Sequence, residues 1–275
     1  PARWEMRDTI VWVLDCYETL LPRLGAEQLR GREQVSEAQL LKGVSQTDAD
    51  LATRAVFQKI VGIAGLEEWS VELIEQSYSS ALSALRGQVH DRVSGAVSDG
   101  LLVDSSSDPS RYFVTWVKDD LSSLGGFAFH CAEQLALMVC AEWLDELPGG
   151  EENCWYFLDV LVGYWGLGRV AANAGFVSGG HTDGVMSVYS YHRRGFLSED
   201  ELGISYAVAG FLAGHEFRTL AKGLSANPKT TAREAYSLLC ESELRSRAVR
   251  LIGDGRPGPA HVRKPPGWLG RLIGL

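Results

Sequence analysis

The sequence predicts an all-α protein, a multi-helix bundle or irregular helical array of about eight to nine helices that ends in a Pro-rich C-terminal tail. Three observations carry this. Apolar residues recur at spacings of three and four, as in Ile74, Tyr78, Ala81 and Leu85. Helix start signals recur, each an oxygen-bearing side chain followed three residues later by an acid: Thr47 with Asp50, Ser198 with Glu201, and Thr231 with Glu234. No alternating apolar and polar run long enough for a half-buried strand stands out.

Taken in order, the pattern places helices over 3–24, 36–43 and 47–63, then a long one over 67–96. Ser98 to Ser110 is polar and unpatterned, and marks the boundary between an N-terminal helical half, 1–100, and a C-terminal half, 108–252. Asp108 before Pro109 opens the next helix, 109–147, with proline where no amide partner is lost. Further helices fall over 152–176, 184–194, 199–223 and 229–252, with stops at Pro148-Gly149-Gly150, Gly179-Gly180, Gly195 and Asn227-Pro228. Residues 253–275 form a Pro/Gly-rich basic tail. Gly203, Ala207, Gly210 and Gly214 share one helical face, and Gly168, Ala172 and Gly175 repeat the spacing, so the two helices are expected to pack closely on each other.

The formal charge of −9 disfavours nucleic acid and anionic membranes as partners for the body of the protein. Seven basic residues and one acid lie between Arg245 and Leu275, a net of +6 that leaves −15 on the remainder. Five cysteines in no CxxC pair read as reduced core residues, which predicts a cytoplasmic protein. A membrane span over 154–177 is disfavoured, because Asp159 and Arg169 would each cost roughly 2.5 to 3.5 kcal/mol near a bilayer centre.

Five stretches are candidates for function. His130 and Glu133 sit one turn apart in an apolar helix, and His215 lies on another apolar face. Together the three are the candidate ligands of a divalent metal, against a plainer reading as hydrogen-bonded residues that orient their helices. His-Glu-x-x-His is absent, since Thr219 stands where its second histidine would be. His181 and Asp183, in a glycine-flanked segment, are the candidate catalytic pair, or else Thr182 or Asp183 caps the next helix. Gly166 to Ala171 spells G-x-G-x-x-A, but a dinucleotide site needs a strand before it and the surroundings read as helix. In the tail, Trp268, Leu269, Leu272 and Ile273 make an apolar cluster suited to docking in a groove of a protein partner or of the protein's own subunit.

The functional expectation is a cytosolic helical interaction or scaffold protein that holds a partner through its tail or through a groove between helices. The alternative is a helical-bundle enzyme with a buried His/Glu site; no cofactor is expected beyond a divalent metal that such a site could hold. The two differ in whether those side chains converge.

Overall fold

Helices dominate the chain in the computed structural model, which describes residues 3–45, 47–76, 111–117, 123–141, 143, 146–150, 153–182, 187–193 and 195–253. The N-terminal helices are α1 (Arg3–Leu24), α2 (Ala26–Leu29), α3 (Glu37–Leu41) and α4 (Ala49–Ala64). Strands β1 (Ser70–Gln76) and β2 (Arg111–Val117) follow, then α5 (Leu124–Cys140), α6 (Cys154–Tyr164) and α7 (Gly168–Ala174). A hairpin of β3 (Phe176–Thr182) and β4 (Ser187–Arg193) precedes α8 (Glu199–Leu212), α9 (Phe217–Leu220), α10 (Ala226–Leu239) and α11 (Ser242–Gly253).

The caps explain where several helices begin. Ser198 and Glu201 form a reciprocal capping box at α8, and Ser36 with Gln39 forms another at α3. At α4 the cap is Asp48 rather than Thr47, its carboxylate accepting from the amides of Asp50 and Leu51. Thr231 caps nothing. It lies inside α10, which starts five residues earlier than its sequence signal and carries Pro228 in its first turn, where no amide partner is lost.

One core runs through both halves, from Met6 on α1 to Ala248 on α11. Its hub is α8, buried at every residue from Leu202 to Gly210, which is how a helix apolar on all sides must sit. It packs against α1, α6, α7, α9, α10 and α11. The expected closeness to the 152–176 segment is there, since Gly168 approaches Tyr206 and Gly163 approaches Ala209. The small face of α8 points elsewhere: Gly203 abuts Pro228 and Thr231 of α10, and Gly210 abuts Leu220 of α9. The absence of a Cβ there lets α9 and α10 close down on the hub.

The all-α expectation holds only coarsely. The helices expected over 67–96 and 109–147 begin as strands, and β1 pairs with β2 in parallel, from Ser70 opposite Arg111 to Gln76 opposite Val117. Tyr112, Phe113, Val114, Thr115 and Trp116 are all buried, so this strand is covered on both faces and shows a continuous run instead of alternation. The helix expected over 184–194 is β4, antiparallel to β3. The expected 152–176 helix breaks at Trp165 to Leu167. Gly166 has φ +83°, and a Cβ on it would lie 2.5 Å from the Glu33 carbonyl oxygen. That turn exists because the chain at Arg32 to Val35 crosses it there, with the Val35 amide donating to the Gly166 carbonyl. Among the described residues no helix is long and apolar enough to cross a membrane.

Candidate functional site

The structure gives His130, Glu133 and His215 separate surroundings. The Nε2 of His130 lies 3.2 Å from the Thr115 carbonyl oxygen and 2.5 Å from the Gln134 amide nitrogen. Glu133 is 8 % exposed and has an interaction of its own. His215 lies past the end of α8 and bonds the Arg32 carbonyl through Nε2 at 2.7 Å. Among the described residues, no three His, Cys, Asp or Glu side chains are placed to hold a metal ion. His181 falls within β3, its backbone opposite Val188, and its side chain lies outside what the structure describes. Asp183, Trp268, Leu269, Leu272 and Ile273 lie outside the described residues as well.

The residue next to the motif turns out to matter more than the motif. Gln134, 2 % exposed, donates its amide to the Thr115 carbonyl at 2.8 Å and accepts from the Thr115 amide at 3.0 Å. A side-chain amide thereby continues the ladder on the far edge of β2 and fastens that strand to α5. His130 reinforces the same joint.

Asp159, 1 % exposed, does comparable work in α6. Its Oδ2 accepts from the amides of Phe196 and Leu197 at 2.8 and 2.7 Å, tying down the segment that leads into α8. The aspartate that argues against a membrane span is thus a buried anchor whose Oδ2 is held by two backbone donors.

A different surface has the composition of a binding site. Between α9 and α10 lies an open groove of about 600 Å3 with Phe217, Ala221 and Leu224 as its apolar floor. Four cationic side chains line it, Arg218, Lys222, Lys229 and Arg233, and no acidic residue does. Lys229 and Arg233 stand one turn apart on α10, so both project to the same side. Arg233 lies over the Phe217 ring at 5.9 Å.

The groove owes its shape to the helix ends that surround it. Phe217 packs on Tyr236 at 5.7 Å, and Tyr236 packs edge-on to Phe211 at 5.3 Å. The Tyr236 hydroxyl donates to the His215 carbonyl at 2.8 Å, and partial burial, with Cys240 and Glu216 nearby, raises its pKa above the ordinary phenol value. Gly223 turns with φ +77°, and Asn173 bonds both the Gly223 carbonyl and the Ser225 amide. His215 therefore belongs to the scaffold behind the groove.

Elsewhere four arginines pair with acids: Arg3 with Glu241, Arg7 with Glu243, Arg23 with Glu146, and Arg247 with Asp15 and Glu18. Among the described residues none of the four groove cations has an ion-pair partner. On a chain of net charge −9, these four cations set around one apolar floor give the groove a local excess of positive charge. The sequence holds its signal in "FRTLAKGLSANPKTTAR", where basic residues recur at four, seven and four, but the spacing is interrupted by a turn and so does not read as one helical face. Comparison with protein-family models, with curated proteins and with solved structures returns no match for this chain.

Proposed function

We propose that this chain is a helical interaction protein that holds an acidic segment of a partner protein in the groove between α9 and α10. The observation that carries the proposal is the set of four cations, none of them ion-paired among the described residues, around Phe217, Ala221 and Leu224. Apolar floor and cationic rim suit a peptide that alternates Asp or Glu with apolar side chains. Five free thiols, four of them buried, suit a reducing compartment such as the cytosol. The two histidines of the enzyme reading, His130 and His215, are half-buried and engaged with backbone carbonyls, which favours the interaction reading.

Exposed ion pairs are worth roughly 0.2 to 1 kcal/mol each, so four give a weak, salt-sensitive contact. Fluorescence anisotropy with a labelled acidic–apolar peptide tests this. The expected result is saturable binding that weakens at least about tenfold in the Arg218→Glu, Arg233→Glu double variant, and that weakens with added salt, since screening lengths shrink to about 3 Å at 1 M. Equal binding by the double variant, or preference for a nucleic acid of matched charge, would overturn the proposal.

A further inference from the structure

Arg169 serves none of the joints described above, and it stands beside the groove. It is half-buried on α7. Its Nε donates to the Tyr206 hydroxyl at 3.2 Å, and that hydroxyl donates in turn to the Leu220 carbonyl at 2.9 Å, so the side chain is held to the end of α9. Asn173, one turn further along α7, bonds Gly223 and Ser225, which puts Arg169 on the face of the helix that meets this turn. Gly223 lines the groove. A Cβ built on it would lie 3.7 Å from Arg169 Cδ, and the guanidinium begins one bond beyond that carbon.

A guanidinium carries five N–H donors in a rigid fork. Arg169 spends one on Tyr206, and among the described residues its two terminal nitrogens have no hydrogen-bond or ion-pair partner. The bond at Nε fixes the plane of the fork and leaves the rest of it open. An arginine held in this way is preorganised for an anion that accepts two bonds at once.

Arg169 brings the cations at the groove from four to five, over a floor of three apolar residues. An extended segment sets the side chains of one face about 7 Å apart, so a floor this short meets only about two carboxylates. A phosphorylated serine or threonine brings a charge of about −1.5 to −2 on a single side chain, with three strong acceptor oxygens. We propose that the acidic partner segment is phosphorylated, and that its phosphate is bound at the Gly223 end of the groove by Arg169 together with Lys222. The inference rests on the groove reading above and names the group recognised there. A nucleic acid is a poorer source of the phosphate, because a chain of net charge −9 repels an extended polyanion, whereas one phosphate meets only the local cations.

Fluorescence anisotropy with three labelled peptides tests this, each of the same acidic–apolar sequence with Ser, Glu or phosphoserine at one central position. The phosphoserine peptide is expected to bind the unaltered protein at least about tenfold more tightly than the Glu peptide, a comparison that needs no variant. Arg169→Lys keeps the charge and removes the fork, and is expected to bring the two peptides within about twofold of each other. Equal affinity for the two in the unaltered protein, or a preference that survives Arg169→Lys, would overturn the inference. So would tighter binding of an oligonucleotide of matched charge or of anionic phospholipid vesicles. Failure of all three peptides to bind would instead remove the groove reading itself, and this inference with it.

Discussion

Gln134 shows how the chemistry of one side chain can be mistaken for that of its neighbours. His130 and Glu133 catch the eye because charged or titratable residues are rare inside apolar helices, whereas a glutamine there gives no such contrast. The structure reverses the ranking, because Gln134 satisfies both backbone groups of Thr115 while His130 contributes one contact to the same carbonyl. Removing a partner so that buried groups are orphaned costs about 1 to 3 kcal/mol per group. Gln134→Ala is therefore expected to lower stability by roughly 2 to 4 kcal/mol, and His130→Ala by about 1 kcal/mol. Urea unfolding of the two variants checks this, and a larger loss for His130→Ala would contradict it. Asp159 was legible as a buried polar residue, but its partners, the amides of Phe196 and Leu197, lie 37 and 38 residues away and no local pattern announces them.

Among the elements, those held by local signals could be read and those held by distant partners could not. The helix over Arg3–Leu24 matches its expected limits, because its apolar residues repeat at three and four and its buried face runs from Met6 to Leu24. Strands β1 and β2 fall where the apolar spacing predicts the starts of helices. Their evidence was composition rather than period, Tyr112-Phe113-Val114-Thr115-Trp116 being a β-branched and aromatic run, and a parallel partner in sequence far away cannot be inferred from spacing. The last helix, α11, illustrates a third case. Only Leu244 and Ala248 are buried on it, and its attachment to α1 relies on Arg247 bonding Asp15 and Glu18, with Arg3 and Arg7 pairing to Glu241 and Glu243. Burial works against the charge of Arg247, but its bonds to the two carboxylates outweigh this and its pKa is raised. Partly exposed pairs of this kind contribute up to about 1 kcal/mol each. Arg247→Ala is thus expected to speed amide exchange across 242–253 several-fold while leaving α8 unchanged, and high salt should do the same in the unaltered protein. Uniform acceleration over the whole chain would count against an electrostatic attachment.

At the scale of the molecule, the interior stores its thiols and phenols in neutral form. Burial raises the pKa of the Cys16, Cys131 and Cys140 thiols and of the Tyr17, Tyr164 and Tyr206 phenols above their ordinary values of 9.0 and 10.0. A group whose pKa is raised by folding contributes stability that is complete below its unfolded pKa and is lost as pH rises toward the folded one. Stability against urea should accordingly be flat from neutral pH to about pH 8.5 and fall steeply beyond about pH 9 to 10. In the native protein at pH 8 one thiol, the exposed Cys240, should react quickly with a thiol reagent, and the four buried ones only on unfolding. Fast reaction of several thiols would show that the core is looser than described. On the outside, Arg3, Arg7, Arg23 and Arg247 are answered by acids, and the groove between α9 and α10 gathers four cations without an ion pair among the described residues over one apolar floor.

The most direct measurement is therefore amide chemical-shift mapping during titration with an acidic–apolar peptide. The account predicts perturbations confined to 217–233 and the adjoining turn, with the α1–α11 face silent. Shifts scattered over the surface, or concentrated on another face, would contradict it.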